Sequence, residues 1–164
     1  MDFFNQTGKL AIGSRLRMLT DKITVDAAAI YKMFGVDLKP KWFPVFFVLS
    51  RGEAKTITSI AKEIGHSHPS VSNIIKEMVA KGLVKETKDK SDGRRNMVML
   101  SAKGKRMSDS FSEQCIDVTA AIEQITQQTR NDLWEAIEEW ENLLLDKSLL
   151  ERVKEAKKER ESKD

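Results

Sequence analysis

The window from Ile57 to Ile75, Ile-Thr-Ser-Ile-Ala-Lys-Glu-Ile-Gly-His-Ser-His-Pro-Ser-Val-Ser-Asn-Ile-Ile, constrains this chain more than any other stretch. Two short helices crossing at a steep angle have three needs. They need a small side chain where they touch, a residue tolerant of left-handed backbone between them, and apolar anchors on the inner face of the second helix. Ala61, Gly65 and the pair Val71 and Ile74 meet those needs in order, beneath Ile60 and Ile64. Ser67 suits the cap of the second helix, and Pro69 suits its first turn, where a missing N–H costs little. The pattern predicts a helix-turn-helix, with helices over 58–64 and 68–82.

The residues left to face outward on the second helix are His68, Ser70, Ser72, Asn73 and Lys76. Short hydrogen-bonding groups near a helix N-terminus suit base edges and phosphates in a major groove. Plain solvent-facing residues are the alternative, but that reading leaves the next segment unexplained. Val84–Lys88 and Asn96–Leu100 read as two strands around the turn Ser91-Asp92-Gly93-Arg94. Val98 and Leu100 fall on one face of the second strand, Met97 and Met99 on the other. From Lys85 to Arg106 there are eight Lys/Arg against three acids, a local excess larger than the net charge of +3 of the whole chain. Such concentration is the electrostatic footprint of phosphate binding. A ribbon with Lys88, Lys90, Arg94 and Arg95 forms a wing able to reach a minor groove, where arginine is favoured. Asp92, two residues before Arg94, is close enough to orient its guanidinium.

The remaining elements are helical. Leu16, Leu19, Ile23, Ala27, Ile30 and Phe34 recur at intervals of three and four, so 10–34 reads as an amphipathic helix ending at Gly35. A short helix is expected over Pro40–Ser50, with Pro44 in its first turn. Ser101 can cap a long helix with the stripe Met107, Phe111, Cys115, Val118, Ile122 and Ile125. Thr129, with Asp132 three residues on, resembles a capping box opening a last helix lined by Leu133, Ile137, Trp140 and Leu144. After Asp146 the chain is highly charged and is expected to fray beyond about Lys154. Leu133, Trp134, Ile137, Trp140, Leu143, Leu144 and Leu145 are more than one helix face can bury, which calls for a partner.

Several classes of function are disfavoured. No apolar run approaches the ~18 residues that span a bilayer, and Met1-Asp2-Phe3-Phe4-Asn5 lacks the basic start and apolar core of a secretory signal. One cysteine cannot form an intrachain disulfide, so a cytoplasmic location is expected. Cys115, on an apolar stripe, reads as a packing cysteine. His66 and His68 are the chain's two histidines and leave a zinc site short of ligands. There is no phosphate-cradling glycine loop, nucleophile triad or paired-carboxylate arrangement, so neither catalysis nor a cofactor is expected.

The run Pro69–Leu100, with Asp92-Gly93-Arg94-Arg95, closely resembles the winged-helix core of the MarR family of bacterial regulators. The resemblance extends loosely to both ends. It implies a mainly α fold: a winged helix-turn-helix with N- and C-terminal dimerisation helices and a small β-ribbon wing. The corresponding parts are 1–50 for the first two helices (dimerisation and core), 51–101 for the DNA-binding domain, and 102–164 for the C-terminal dimerisation helices and charged tail. It further implies a homodimer reading pseudo-palindromic duplex DNA, and a repressor released by a small, often aromatic, effector. Met33, Trp42, Phe43 and Phe47 are the candidate lining of an effector pocket, with ordinary core packing as the alternative. The stretches Ala11–Lys22 and Lys41–Phe46 look like a subgroup whose members often carry a fused acetyltransferase domain; no acetyltransferase activity is expected of the residues present. A winged-helix module for protein contact, or the regulatory part of an acetyltransferase, are the rival readings.

Overall fold

The computed structural model describes residues 3–88 and 96–163. Within them the chain runs α1 (Phe3–Thr7), a 3-10 turn (Gly8–Ala11), α2 (Ile12–Met33), a 3-10 turn (Pro40–Trp42), α3 (Phe43–Ser50), β1 (Lys55–Thr56), α4 (Ile57–Glu63) and α5 (His68–Ala80). It continues through β2 (Val84–Lys88), β3 (Asn96–Leu100), α6 (Ala102–Gln127), α7 (Leu133–Asp146) and α8 (Leu149–Glu161). The chain forms two compact units, Met1–Ile116 and Asp117–Asp164.

The first unit is a winged helix. Its core gathers Trp42, Val45, Phe46 and Leu49 from the α3 region, Ile60 and Ala61 from α4, and Val71, Ile75 and Met78 from α5. The ribbon adds Leu83, Val98 and Leu100, and α6 adds Phe111. The helix-turn-helix forms for the reasons read from its residues. Thr56 accepts the amide of Ser59 to start α4, and Ser67 accepts that of Ser70 to start α5. Gly65 carries the turn between them at φ +66°, where a side chain would be strained. Helix α5 stops at Ala80, two residues before the expected end, because Gly82 takes φ +69° and turns the chain into β2.

β2 and β3 pair antiparallel, as expected of two strands around a turn, with Val84 opposite Leu100 and Lys88 opposite Asn96. The structure adds β1, a two-residue strand on the free edge of β3 with Lys55 opposite Val98, so the sheet has three strands in the order β1-β3-β2. Ser101 starts α6 as expected: its Oγ accepts the Gly104 amide at 3.0 Å and donates to the Gly82 carbonyl at 2.5 Å. Helix α2 departs from expectation. Its buried residue is Tyr31, off the predicted stripe, while Leu16, Leu19 and Ile23 lie exposed.

The second unit holds α7 and α8. Asp132 is itself the cap of α7, accepting the amides of Trp134 and Glu135. The expected Thr129 capping box does not form, because Thr129 Oγ1 donates to the Thr126 and Asn131 carbonyls instead. The tail is also helical rather than frayed. Ser148 and Glu151 form a reciprocal capping box, which ties down the orphan donors at the start of α8. Arg152 donates to the carbonyls of Leu143 at 2.9 Å and Lys147 at 3.1 Å, closing the end of α7. Helix α7 buries none of its side chains: Trp134 is 72% exposed, Trp140 54% and Leu145 85%. Among the described residues no helix is long and apolar enough to cross a membrane.

Candidate nucleic-acid interface

Helix α5 separates its residues by face. Val71, Ile74, Ile75 and Met78 are buried against the core, which leaves His68, Ser70, Asn73 and Lys76 exposed. Ser72, expected outward, is half-buried. His68 and Pro69 occupy the first turn, where amides unpaired within the helix and the positive end of the dipole favour an anion. Lys88 is exposed at the end of β2. The wing residues Lys90, Asp92, Arg94 and Arg95 lie outside the described residues.

Ser70, Asn73 and Glu77 recur at i, i+3 and i+7 on one side of α5. They line an open cleft of about 310 Å³ together with Pro40, Lys41, Pro44, His66 and Ile74. The opposite wall is therefore the turn Pro40–Trp42 and the start of α3. His66, in the turn that leads into α5, is fixed by a 2.8 Å contact between its Nδ1 and the Ile64 carbonyl, which requires a proton on Nδ1. Glu77 joins the two walls. Its carboxylate accepts from Lys41 Nζ at 2.6 Å, Trp42 Nε1 at 3.0 Å and Lys39 Nζ at 3.4 Å. The Lys41 hydrogen bond, followed by that of the Trp42 indole, pulls the carboxyl from its usual 4.5 down to about 2. A second cluster sits at the start of the helix-turn-helix, where Glu63 meets Lys55 at 2.8 Å and Arg51 at 3.4 Å.

Lys39, Lys41 and Glu77 were not singled out by sequence reasoning, and His66 was weighed there only as a zinc ligand. The 3-and-4 spacing of Ser70, Asn73 and Glu77 could have placed Glu77 on the outward face. Its lysine partners lie more than thirty residues away in the chain, and local periodicity has no access to them.

Of the four candidate effector residues, Phe43 and Phe47 are neighbours, with ring centroids 5.6 Å apart. Trp42 is 1% exposed and is core. Phe43 and Phe47 are partly exposed and pack against Phe111, with ring centroids at 5.8 and 6.4 Å. Met33 is exposed. None of them lines the cleft beside α5. Cys115 is half-buried, and burial pushes its thiol up, away from the reactive thiolate. The described residues hold no group of three or more His, Cys, Asp or Glu arranged to take a metal.

The family model of the MarR family matches residues 36–95. No curated protein matches the chain in sequence. Among solved structures the fold is similar to that of the transcriptional repressor CouR bound to a 23-mer DNA duplex. That match has a TM-score of 0.63 at 20% identity, over 85% of this chain and 96% of the other. It is similar also to a MarR family regulator from Neisseria meningitidis, with a TM-score of 0.59 at 16% identity, over 89% and 96% of the two chains. A third is the PcaV transcriptional regulator from Streptomyces coelicolor in complex with its natural ligand, with a TM-score of 0.61 at 13% identity, over 83% and 92%.

Proposed function

We propose, from the match of residues 36–95 to the family model of the MarR family, that the protein is a transcriptional regulator of that family, binding pseudo-palindromic duplex DNA as a homodimer. The observation that carries this reading is the face of α5. Its inner residues are core, while its first two turns expose His68, Ser70, Asn73 and Lys76. That is the size and chemistry a major groove accepts. The basic segment that follows supplies charge for phosphates and the minor groove. In this reading 51–101 binds DNA, while 1–50 and 102–164 supply the helices that pair two copies. The protein acts in the cytoplasm as a binding protein with no reaction of its own.

Repression and response to a small aromatic ligand are the finer part of the proposal. The DNA-bound repressor and the ligand-bound regulator among the similar folds support it. Phe43 and Phe47, partly exposed beside Phe111, are the aromatic surface such a ligand would use. The test is selection of bound duplexes from a random pool, followed by titration of the selected duplex at several salt concentrations. A recurrent inverted-repeat site, bound at least ~10³-fold more tightly than unselected DNA and more weakly as salt rises, is expected. No enrichment and no salt dependence would remove DNA binding from consideration.

A further inference from the structure

We propose that Lys39 and Lys41 are phosphate contacts of the DNA interface, and that Glu77 is the positioning residue that holds them beside the recognition helix. The inference rests on the DNA-binding reading above and extends it to a segment that reading does not use.

An acid on the outward side of a recognition helix is at first sight a liability, since it repels phosphate. Here it is over-neutralised. Lys41 and Lys39 converge on the one carboxylate at 2.6 and 3.4 Å, leaving the group with a net positive charge. Both lysine side chains remain 55% exposed, and exposed ion pairs of this kind add little to stability. Stability is therefore a poor reason for the arrangement. Each ammonium has three donors and gives one to Glu77, so each keeps donors for another oxygen. The segment that bears them is anchored by the last residue of the turn. Trp42 is buried at 1% exposure, donates its indole N–H to the same carboxylate, and carries Lys39 Nζ 5.0 Å from its ring centroid. Lys41 shares its cleft with Ser70 and Asn73. A strand that brings a base edge to Asn73 therefore brings its backbone to this turn. Lysines already held in place lose less freedom when a phosphate arrives.

The experiment measures affinity against salt for the selected duplex and for an unselected duplex of the same length. It uses the full chain and the variants Lys39→Gln/Lys41→Gln, Lys41→Arg and Glu77→Gln, each with a thermal melt to verify folding. Each phosphate contact contributes about 0.9 to the slope of log affinity on log salt, so the double variant should lose about 1.8 per protomer. The charge-preserving Lys41→Arg should keep the parent slope. Glu77→Gln retains both lysines, so its slope should stand, but its preference for the selected duplex should fall several-fold. An unchanged slope in a folded double variant would overturn the phosphate contacts. An unchanged preference in Glu77→Gln would overturn the positioning role. A parent chain that binds no duplex at any salt would sink the DNA-binding reading itself, and this extension with it.

Discussion

The backbone of Leu83 runs so close to Gly104 that a Cβ on Gly104 would overlap the Leu83 carbonyl oxygen and press on Leu100 Cδ2. The same carbonyl accepts the Ser101 amide at 2.9 Å. One oxygen thus receives the chain leaving the ribbon and forms the surface on which α6 begins. Gly104 is a helical glycine with ordinary backbone angles, so closeness rather than conformational freedom explains it. Gly104→Ala should destabilise the fold by ~1–3 kcal/mol, the usual cost of overpacking a tight contact. Urea denaturation gives the test, and a variant as stable as the parent would mean that α6 shifts without cost.

The Glu77 carboxyl makes a second prediction about stability. Its folded value is lowered from 4.5 to about 2. Its contribution is therefore fully present above pH 4.5 and is lost as pH falls toward 2. Glu77→Gln removes that dependence. Because the pairs are exposed, the stability gap between parent and variant should be small; it should be constant above pH 5 and close as acid is added. A gap that stayed the same from pH 6 to pH 2 would show that the lysines and Trp42 do not act through the charge.

The exposed apolar side chains of α7 are a surface that the proposed homodimer would cover. Leu133, Trp134, Ile137, Trp140 and Leu144 are 39 to 72% exposed, and a contiguous surface of that kind is rarely left to water. Light scattering should show a dimer at micromolar concentration, and Trp140→Glu should shift it to monomer with its helix content kept. A monomeric parent would contradict the homodimer. In the dimer the two recognition helices should read half-sites about 34 Å apart, one turn of DNA.

How much of this was legible in the residues depends on how locally each feature is encoded. Both strands of the ribbon and the helix-turn-helix depend on short patterns, such as Ala61 before Gly65 or Val98 alternating with Met97 and Met99. The structure places them where those patterns put them. Lys55–Thr56 forms a strand because β3 offers it a free edge, and two residues carry no periodicity to announce that. The tail misled because charge suggested solvation, whereas Ser148 and Glu151 are correctly spaced for a capping box and start a helix. On α5, the exposure of Ser70 and Asn73 follows from helical geometry alone. The clamp of Lys39, Lys41 and Trp42 on Glu77 brings together residues distant in sequence, and only the folded chain reveals it.

Arg94 is predicted from its place in the sequence to act on affinity more than on sequence choice. A basic ribbon after a recognition helix meets the negative minor groove, where arginine is favoured whatever the major-groove bases are. Arg94→Ala should weaken selected and unselected duplexes alike and reduce the salt slope by about 1. The same affinity and slope in the variant would remove the wing from the mechanism.

Asn73 should behave in the opposite way. It is exposed one turn beyond Ser70, on the helix whose opposite side buries Val71, Ile74 and Met78. A carboxamide can hold both edge atoms of one adenine, and a good bidentate contact discriminates by ~1–3 kcal/mol. Asn73→Ala should therefore lower affinity for the selected duplex roughly 5- to 150-fold while leaving unselected DNA and the salt slope unchanged. The fold should survive, since no buried side chain changes. Repeating the duplex selection with the variant adds a sharper readout: one position per half-site should lose its preference while the others keep theirs. Equal weakening of both duplexes would make Asn73 a phosphate contact and pass base reading to Ser70 or His68. No change in either would mean that this face of α5 does not enter the groove.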